Sequence, residues 1–97
     1  MTVEQAYVGM DLDTSGGSIV HAIIAAIEED NEGVVVDDYM VYKKVKAPGK
    51  IILKRETVEE CLGADFEMDQ VHLVMSSCFG FITEWDEDQL TIEWEDK

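Results

Sequence analysis

The stretch Ser18-Ile19-Val20-His21-Ala22-Ile23-Ile24-Ala25-Ala26-Ile27-Glu28-Glu29-Asp30-Asn31 decides the fold class. Ile19, Val20, Ile23, Ile24 and Ile27 recur at helical spacing and form one apolar stripe, and Ala22, Ala25 and Ala26 permit close packing against a sheet. The stretch is a helix with one buried face. Glu28, Glu29 and Asp30 fall at its C-terminal end, where the helix dipole disfavours negative charge.

Strand-like segments flank this helix. Ala6-Tyr7-Val8-Gly9-Met10 reads as a first strand, and Asp11 to Gly17 as a break rich in N-capping residues. Val34-Val35-Val36 begins another strand, Tyr39 to Lys46 continues into or beside it, and Ala47-Pro48-Gly49 is expected to turn. Ile51-Ile52-Leu53 is an apolar strand between Lys50 and Lys54. Thr57 with Glu60 reads as a capping box opening a second helix that Gly63 ends, with Cys61 on its apolar side. Val71–Met75, Phe79–Thr83 and Gln89–Trp94 read as three further strands, with Asp86-Glu87-Asp88 as a polar hairpin turn. The order predicts an α+β fold: two β-α-β-β-like halves sharing one core, with two main helices packed on β-sheet. A chain of 97 residues is expected to make one domain, residues 1–97, and 46% hydrophobic content supports a folded core.

The formal net charge of −15 removes counterion release on a phosphate backbone as a driving force, so neither nucleic acid nor an anionic membrane is an expected partner. Residues 1–42 contain no Lys or Arg, and six of the seven basic residues lie between Lys43 and Arg55. The acidic faces read either as docking surfaces for a basic partner or as a solubility feature. No signal-peptide pattern opens the chain and Cys61 and Cys78 are its only cysteines, so a reduced, cytoplasmic setting is expected. The longest apolar run, Ile19 to Ile27, is far shorter than the roughly 20 residues that span a bilayer.

Candidate chemistry is sparse. Asp11-Leu12-Asp13-Thr14-Ser15-Gly16 matches the start of a calcium loop, but Ala22 stands where the final Glu ligand belongs. Gly16-Gly17 before a helix is a weak anion signal beside Asp11 and Asp13. Asp69 and His72 have metal-ligand spacing only on a helix, and Val71-His72-Leu73-Val74 favours a strand, where they point oppositely. Nothing near Cys78 in sequence supplies an activating base. No catalytic residue, cofactor or metal is assigned.

Ile23 through Asn31 followed by Gly33, Ile51-Ile52-Leu53-Lys54-Arg55-Glu56-Thr57 running into Leu62-Gly63, Phe66-Glu67-Met68, and Ser76-Ser77-Cys78-Phe79-Gly80 occur in an order and spacing with a precedent. Together they resemble the effector, or coupling, proteins of bacterial multicomponent soluble diiron monooxygenases. Regulators of methane monooxygenase, phenol hydroxylase and the toluene, alkene and propane monooxygenases belong to that family. The resemblance spans roughly residues 6 to 94, and the short segment before Ala6 is closer to the shorter members than to the long-tailed methane monooxygenase regulators.

The resemblance implies a non-catalytic, cofactor-free subunit, monomeric when free, that docks on a diiron hydroxylase above its metal centre. A reductase, with or without a ferredoxin, would serve the same hydroxylase. Ser76, Ser77, Cys78, Phe79 and Gly80 match the family's Ser-Ser-Thr-hydrophobic-Gly-like segment, which implies hydroxylase contact, and Cys78 departs from the hydroxyl found in some relatives. Asp30 and Asn31 read either as contact residues or as a plain helix end with Asn in a left-handed turn. A valine at Gly80 is expected to leave the fold largely intact and to clash at the contact. Beside this reading stand an acidic module that sequesters or blocks a basic partner, and a small-molecule-binding α+β module that would need a pocket.

Overall fold

In the first strand, β1 (Tyr7–Asp13), side chains alternate between core and solvent. Val8, Met10 and Leu12 are fully buried, whereas Tyr7 and Asp13 are exposed and Asp11 is half-buried. The strand therefore continues to Asp13 instead of breaking after Met10, and the acids expected in a loop are outward positions of a ladder. The computed structural model describes residues 7–94, and Ala6, expected in this strand, lies outside them.

A 3₁₀ turn at Thr14–Gly16, capped by the Asp13 carboxylate on the Ser15 N–H, leads into helix α1 (Ser18–Asp30), the span the apolar stripe predicts. Val20, Ile23 and Ile27 are buried, and Ala22 and Ala26 one turn apart let α1 approach the sheet closely. Strands β2 (Val35–Asp38) and β3 (Tyr42–Pro48) follow, separated by a turn at residues 39–41. Ala47 and Pro48 are the last residues of β3 and not a turn, since Ala47 is fully buried and Pro48 pairs with Tyr7 at the strand end, where a missing N–H is tolerated.

Strand β4 (Lys50–Lys54) runs into helix α2 (Arg55–Leu62). Thr57 sits inside this helix, and Lys54 stands at the N-cap without a side-chain cap bond, so the expected Thr57/Glu60 capping box does not form. The reciprocal cap occurs at Glu67 and Gln70 instead, on a 3₁₀ turn at Met68–Gln70. Gly63 closes α2 in a left-handed conformation as expected. Cys61 is exposed and not a core residue, because the last turn of α2 leans on half-buried Leu62.

The capped 3₁₀ turn launches one turn of helix, α3 (Val71–Val74), where a strand was expected. Val71 and Val74 are buried while His72 and Leu73 face solvent, a spacing that a strand would not produce, so burial overrides the β propensity of valine. Strands β5 (Met75–Phe79), β6 (Phe81–Trp85) and β7 (Gln89–Glu93) follow, with one break at Gly80 in place of the expected continuous Phe79–Thr83 strand.

Two antiparallel sheets result, ordered β2-β3-β1-β5 and β4-β7-β6. The chain passes from the first sheet to the second after β3 and again after β5, each time through a single glycine of positive φ, Gly49 at 79° and Gly80 at 110°, and returns between β4 and β5 through α2 and α3. The α+β class and the two halves hold, with β5 crossing over to complete the sheet of the first half. Helix α1 packs on β4 and α2, and the core fills the space between the helices and the inner faces of the sheets.

Candidate functional site

Segment 76–80 lies on β5, an outer strand of the four-stranded sheet, and leads through Gly80 into β6, an outer strand of the other. Its pairing with β1 decides where each side chain goes. Asp11 faces Ser77 and Leu12 faces Met75, so Ser76 is the extra residue of a β-bulge. In regular pairing Ser76 and Ser77 would point to opposite faces, but the bulge leaves both exposed. Cys78, opposite buried Met10, is half-buried and packs on the core. The thiol therefore stands at an inward-leaning position, whereas the two hydroxyls stand at the surface.

Asp11 holds this segment from β1. Its Oδ2 accepts a hydrogen bond from Ser77 Oγ at 3.0 Å, its Oδ1 accepts one from Lys44 Nζ at 2.9 Å, and its carbonyl accepts one from Ser76 Oγ at 3.4 Å. The Lys44 ammonium, its pKa raised chiefly by the hydrogen bond to Asp11, also sits 4.8 Å from the centre of the Phe79 ring. Ser77, Asp11, Lys44 and Phe79 thus form one connected outward group. Sequence reading missed Asp11 and Lys44 because it placed Asp11 in a loop. The signal available was the alternation of Val8, Met10 and Leu12, which puts Asp11 outward beside a basic strand.

Gly80 makes the corner between the sheets. A Cβ there would stand 2.9 Å from both Ile92 Cγ2 and Val8 Cγ1, at a φ of +110° that L side chains rarely adopt. The expectation that valine at this position spares the fold is therefore corrected, since the clash is with the core.

Asp30 and Asn31 lie elsewhere, at the end of α1 against β4. Asp30 Oδ2 accepts a 2.6 Å hydrogen bond from Thr57 Oγ1, which joins α1 to α2. Asn31 has extended backbone, φ −134°, and not the left-handed turn that was open to it. Its Nδ2 donates to the carbonyls of Ile27 and Ile52, and its Oδ1 accepts from the Ile52 N–H, each at 2.9 Å. The amide thereby pairs with the outer edge of β4 as a neighbouring strand would. The structure does not bring these residues together with Ser76–Gly80, because they pack on β4 in the three-stranded sheet whereas Ser76–Phe79 lie on β5, an outer strand of the four-stranded one. Arg55 orients carboxylates, bonding Glu59 and Asp88 at 3.2 Å and the Glu87 carbonyl at 3.0 Å.

Half of the basic island is paired within the first sheet, with Lys43, Lys44 and Lys46 against Asp38, Asp11 and Asp37 at 4.0, 2.9 and 3.4 Å. Glu28, Glu29, Glu56 and Glu60, around α1 and α2, have no ion pair among the described residues. Slight desolvation by its neighbours, and secondarily the charges of Glu29, Glu60 and Asp30, push the thiol pKa of exposed Cys61 up. A polar groove of about 750 Å³ lies between α2 and β6, its wall including Arg55, Glu59, Asp65, Asp69, Trp85 and Glu87. Asp69 and His72 do lie on helical turns, not on a strand, but the His72 ring stacks on Trp85 with centroids 4.2 Å apart. Among the described residues no three His, Cys, Asp or Glu side chains are placed to hold a metal, and no helix is long and apolar enough to cross a membrane.

Known proteins share this fold. The sequence pattern of the MmoB/DmpM family matches residues 6–93. The stimulatory component DmpM of phenol 2-monooxygenase from Pseudomonas sp. (strain CF600) is 29% identical over 72 residues, 74% of this chain and 79% of its own length. A chain in a structure of a phenol hydroxylase–regulatory protein complex superposes with a TM-score of 0.82 at 22% identity, covering 93% of this chain and all of that one. The soluble methane monooxygenase regulatory protein B superposes at 0.65 with 25% identity, over 98% of this chain and 70% of its own.

Proposed function

The chain belongs to the MmoB/DmpM family, and we propose that it is the non-catalytic regulatory component of a multicomponent diiron monooxygenase, binding the hydroxylase component. The observation that carries this reading is the family match across residues 6–93, reinforced by likeness to a stimulatory component along most of both chains. A protein that regulates by binding must bind the active hydroxylase conformation more tightly than the resting one, because equal affinity for both shifts nothing. On this reading the chain tunes diiron geometry, oxygen activation and substrate access during oxidation of a small hydrocarbon or aromatic.

The hydroxylase contact proposed here is Ser76, Ser77, Cys78, Phe79 and Gly80, while Asp30 and Asn31, which lie apart from this segment, are proposed to support it indirectly. Support comes from the bulged outer strand, where two exposed hydroxyls and Phe79 are fixed in place. Within the segment Gly80 sets the corner and Cys78 the inner packing, so direct contact falls to Ser76, Ser77 and Phe79. Asp30 and Asn31 act on it through the fold they brace. A reductase, with or without a ferredoxin, is proposed to act on the same hydroxylase, with this chain a cytoplasmic monomer when free.

Titrating the chain into a fixed amount of hydroxylase with its reductase tests the reading. Turnover should rise and saturate near one chain per hydroxylase active site. A flat titration, together with inhibition of an unrelated basic protein, would favour the acidic sequestering module instead.

A further inference from the structure

Both serines of the bulge donate their protons to the same residue. Ser77 Oγ bonds the Asp11 carboxylate at 3.0 Å, and Ser76 Oγ bonds the Asp11 carbonyl at 3.4 Å. An ionised carboxylate only accepts, and so does a carbonyl, so in each pair the hydroxyl must be the donor. Each serine oxygen is then left with lone pairs facing solvent and no proton to offer. The second carboxylate oxygen is held by Lys44 Nζ at 2.9 Å, which fixes the Asp11 rotamer and balances its charge.

We propose that Asp11 is a positioning residue whose carboxylate makes Ser77 a hydrogen-bond acceptor toward the hydroxylase, so that the hydroxylase presents an N–H donor at this spot. The inference rests on the functional reading above and specifies the chemistry of the partner surface. A free serine hydroxyl serves either polarity and rotates among staggered wells. With Asp11 in place the choice is made before encounter, and the ordering is not a cost of binding. Lys44 extends the fixed arrangement to Phe79, whose ring lies 4.8 Å from the ammonium.

The test is a double-mutant cycle on hydroxylase affinity with Asp11→Asn, Ser77→Ala and the double variant. An Asn side chain can turn its NH2 toward Ser77 and reverse the polarity of the hydroxyl while conserving shape. In the wild-type background Asp11→Asn is expected to weaken binding roughly three- to tenfold, the loss for one hydroxyl that must be turned back on binding. In the Ser77→Ala background it should change affinity by less than about twofold, since no hydroxyl remains to be oriented. A merely structural role would act alike in both backgrounds, so an equal loss in both overturns the proposal, as does unchanged affinity of Asp11→Asn alone. A second arm needs no hydroxylase. Three-bond Hα–Hβ couplings of Ser77 should report a single χ1 rotamer in the wild type and averaging in Asp11→Ala, and averaging in the wild type overturns the proposal. Failure of the wild-type chain to bind any hydroxylase, with a single Ser77 rotamer intact, would instead overturn the functional reading.

Discussion

Replacing Asn31, just past the end of α1, with alanine should destabilise the fold more than alanine at any polar position within α1. The amide makes three hydrogen bonds of 2.9 Å, two of them to the backbone of Ile52 on the outer edge of β4. A net contribution of about 0.5–1.5 kcal/mol per bond gives roughly 1.5–4.5 kcal/mol in total. Ile52 is half-buried, so water reaches its freed N–H and C=O only in part, and the expected loss is about 3 kcal/mol. For a domain of this size that lowers Tm by roughly 12–24 °C. Thermal and urea unfolding followed by far-UV circular dichroism measure the loss, and amide exchange at Ile52 locates it. Asn31→Asp should recover little, because a carboxylate can accept from the Ile52 N–H but faces the Ile27 and Ile52 carbonyls without a donor. A Tm within about 3 °C of the wild type, or an Ile52 amide equally protected in Asn31→Ala, would refute the bracing role. Loss of hydroxylase affinity at unchanged stability would make Asn31 a contact residue instead.

Gly80→Ala should cost about 2–5 kcal/mol, combining an unfavourable positive φ with crowding against Val8 and Ile92, and urea unfolding checks it. Cys61 should react with iodoacetamide more slowly than a free cysteine at pH 8, because its raised pKa leaves less thiolate, and added salt should recover part of the rate by screening Glu29, Glu60 and Asp30. The Asp86 carboxylate accepts from the Asp88 and Gln89 N–H groups, which lower its pKa below the ordinary 3.8. Its contribution to stability is therefore complete above that value and lost as pH falls through the folded one, so Asp86→Asn should flatten the stability profile below about pH 4. If the unpaired acids around α1 and α2 steer docking, the association rate should fall as salt rises, and a rate indifferent to ionic strength would assign them to solubility.

Helix α1 and the strand at Ile51–Leu53 were legible in the sequence because their apolar patterns are long or uninterrupted and agree with local propensity. The errors share a cause, which is tertiary burial overriding a local signal. Val71-His72-Leu73-Val74 looks like a strand by composition, but burial of Val71 and Val74 together makes it a helical turn. Thr57 and Glu60 have capping-box spacing, yet the helix begins at Arg55 and the Thr57 hydroxyl bonds Asp30. At the candidate site the residue types were visible and their directions were not. The β-bulge that turns both serines outward, and the placement of Asp11 beside them, depend on strand register, which no single segment encodes.

The most direct test of the central claim is product formed per NADH consumed by a reconstituted diiron hydroxylase and reductase from the same source, with and without this chain. The regulatory reading predicts a higher ratio when the chain is present at one copy per active site. An unchanged ratio, with no complex detected between chain and hydroxylase, would contradict it.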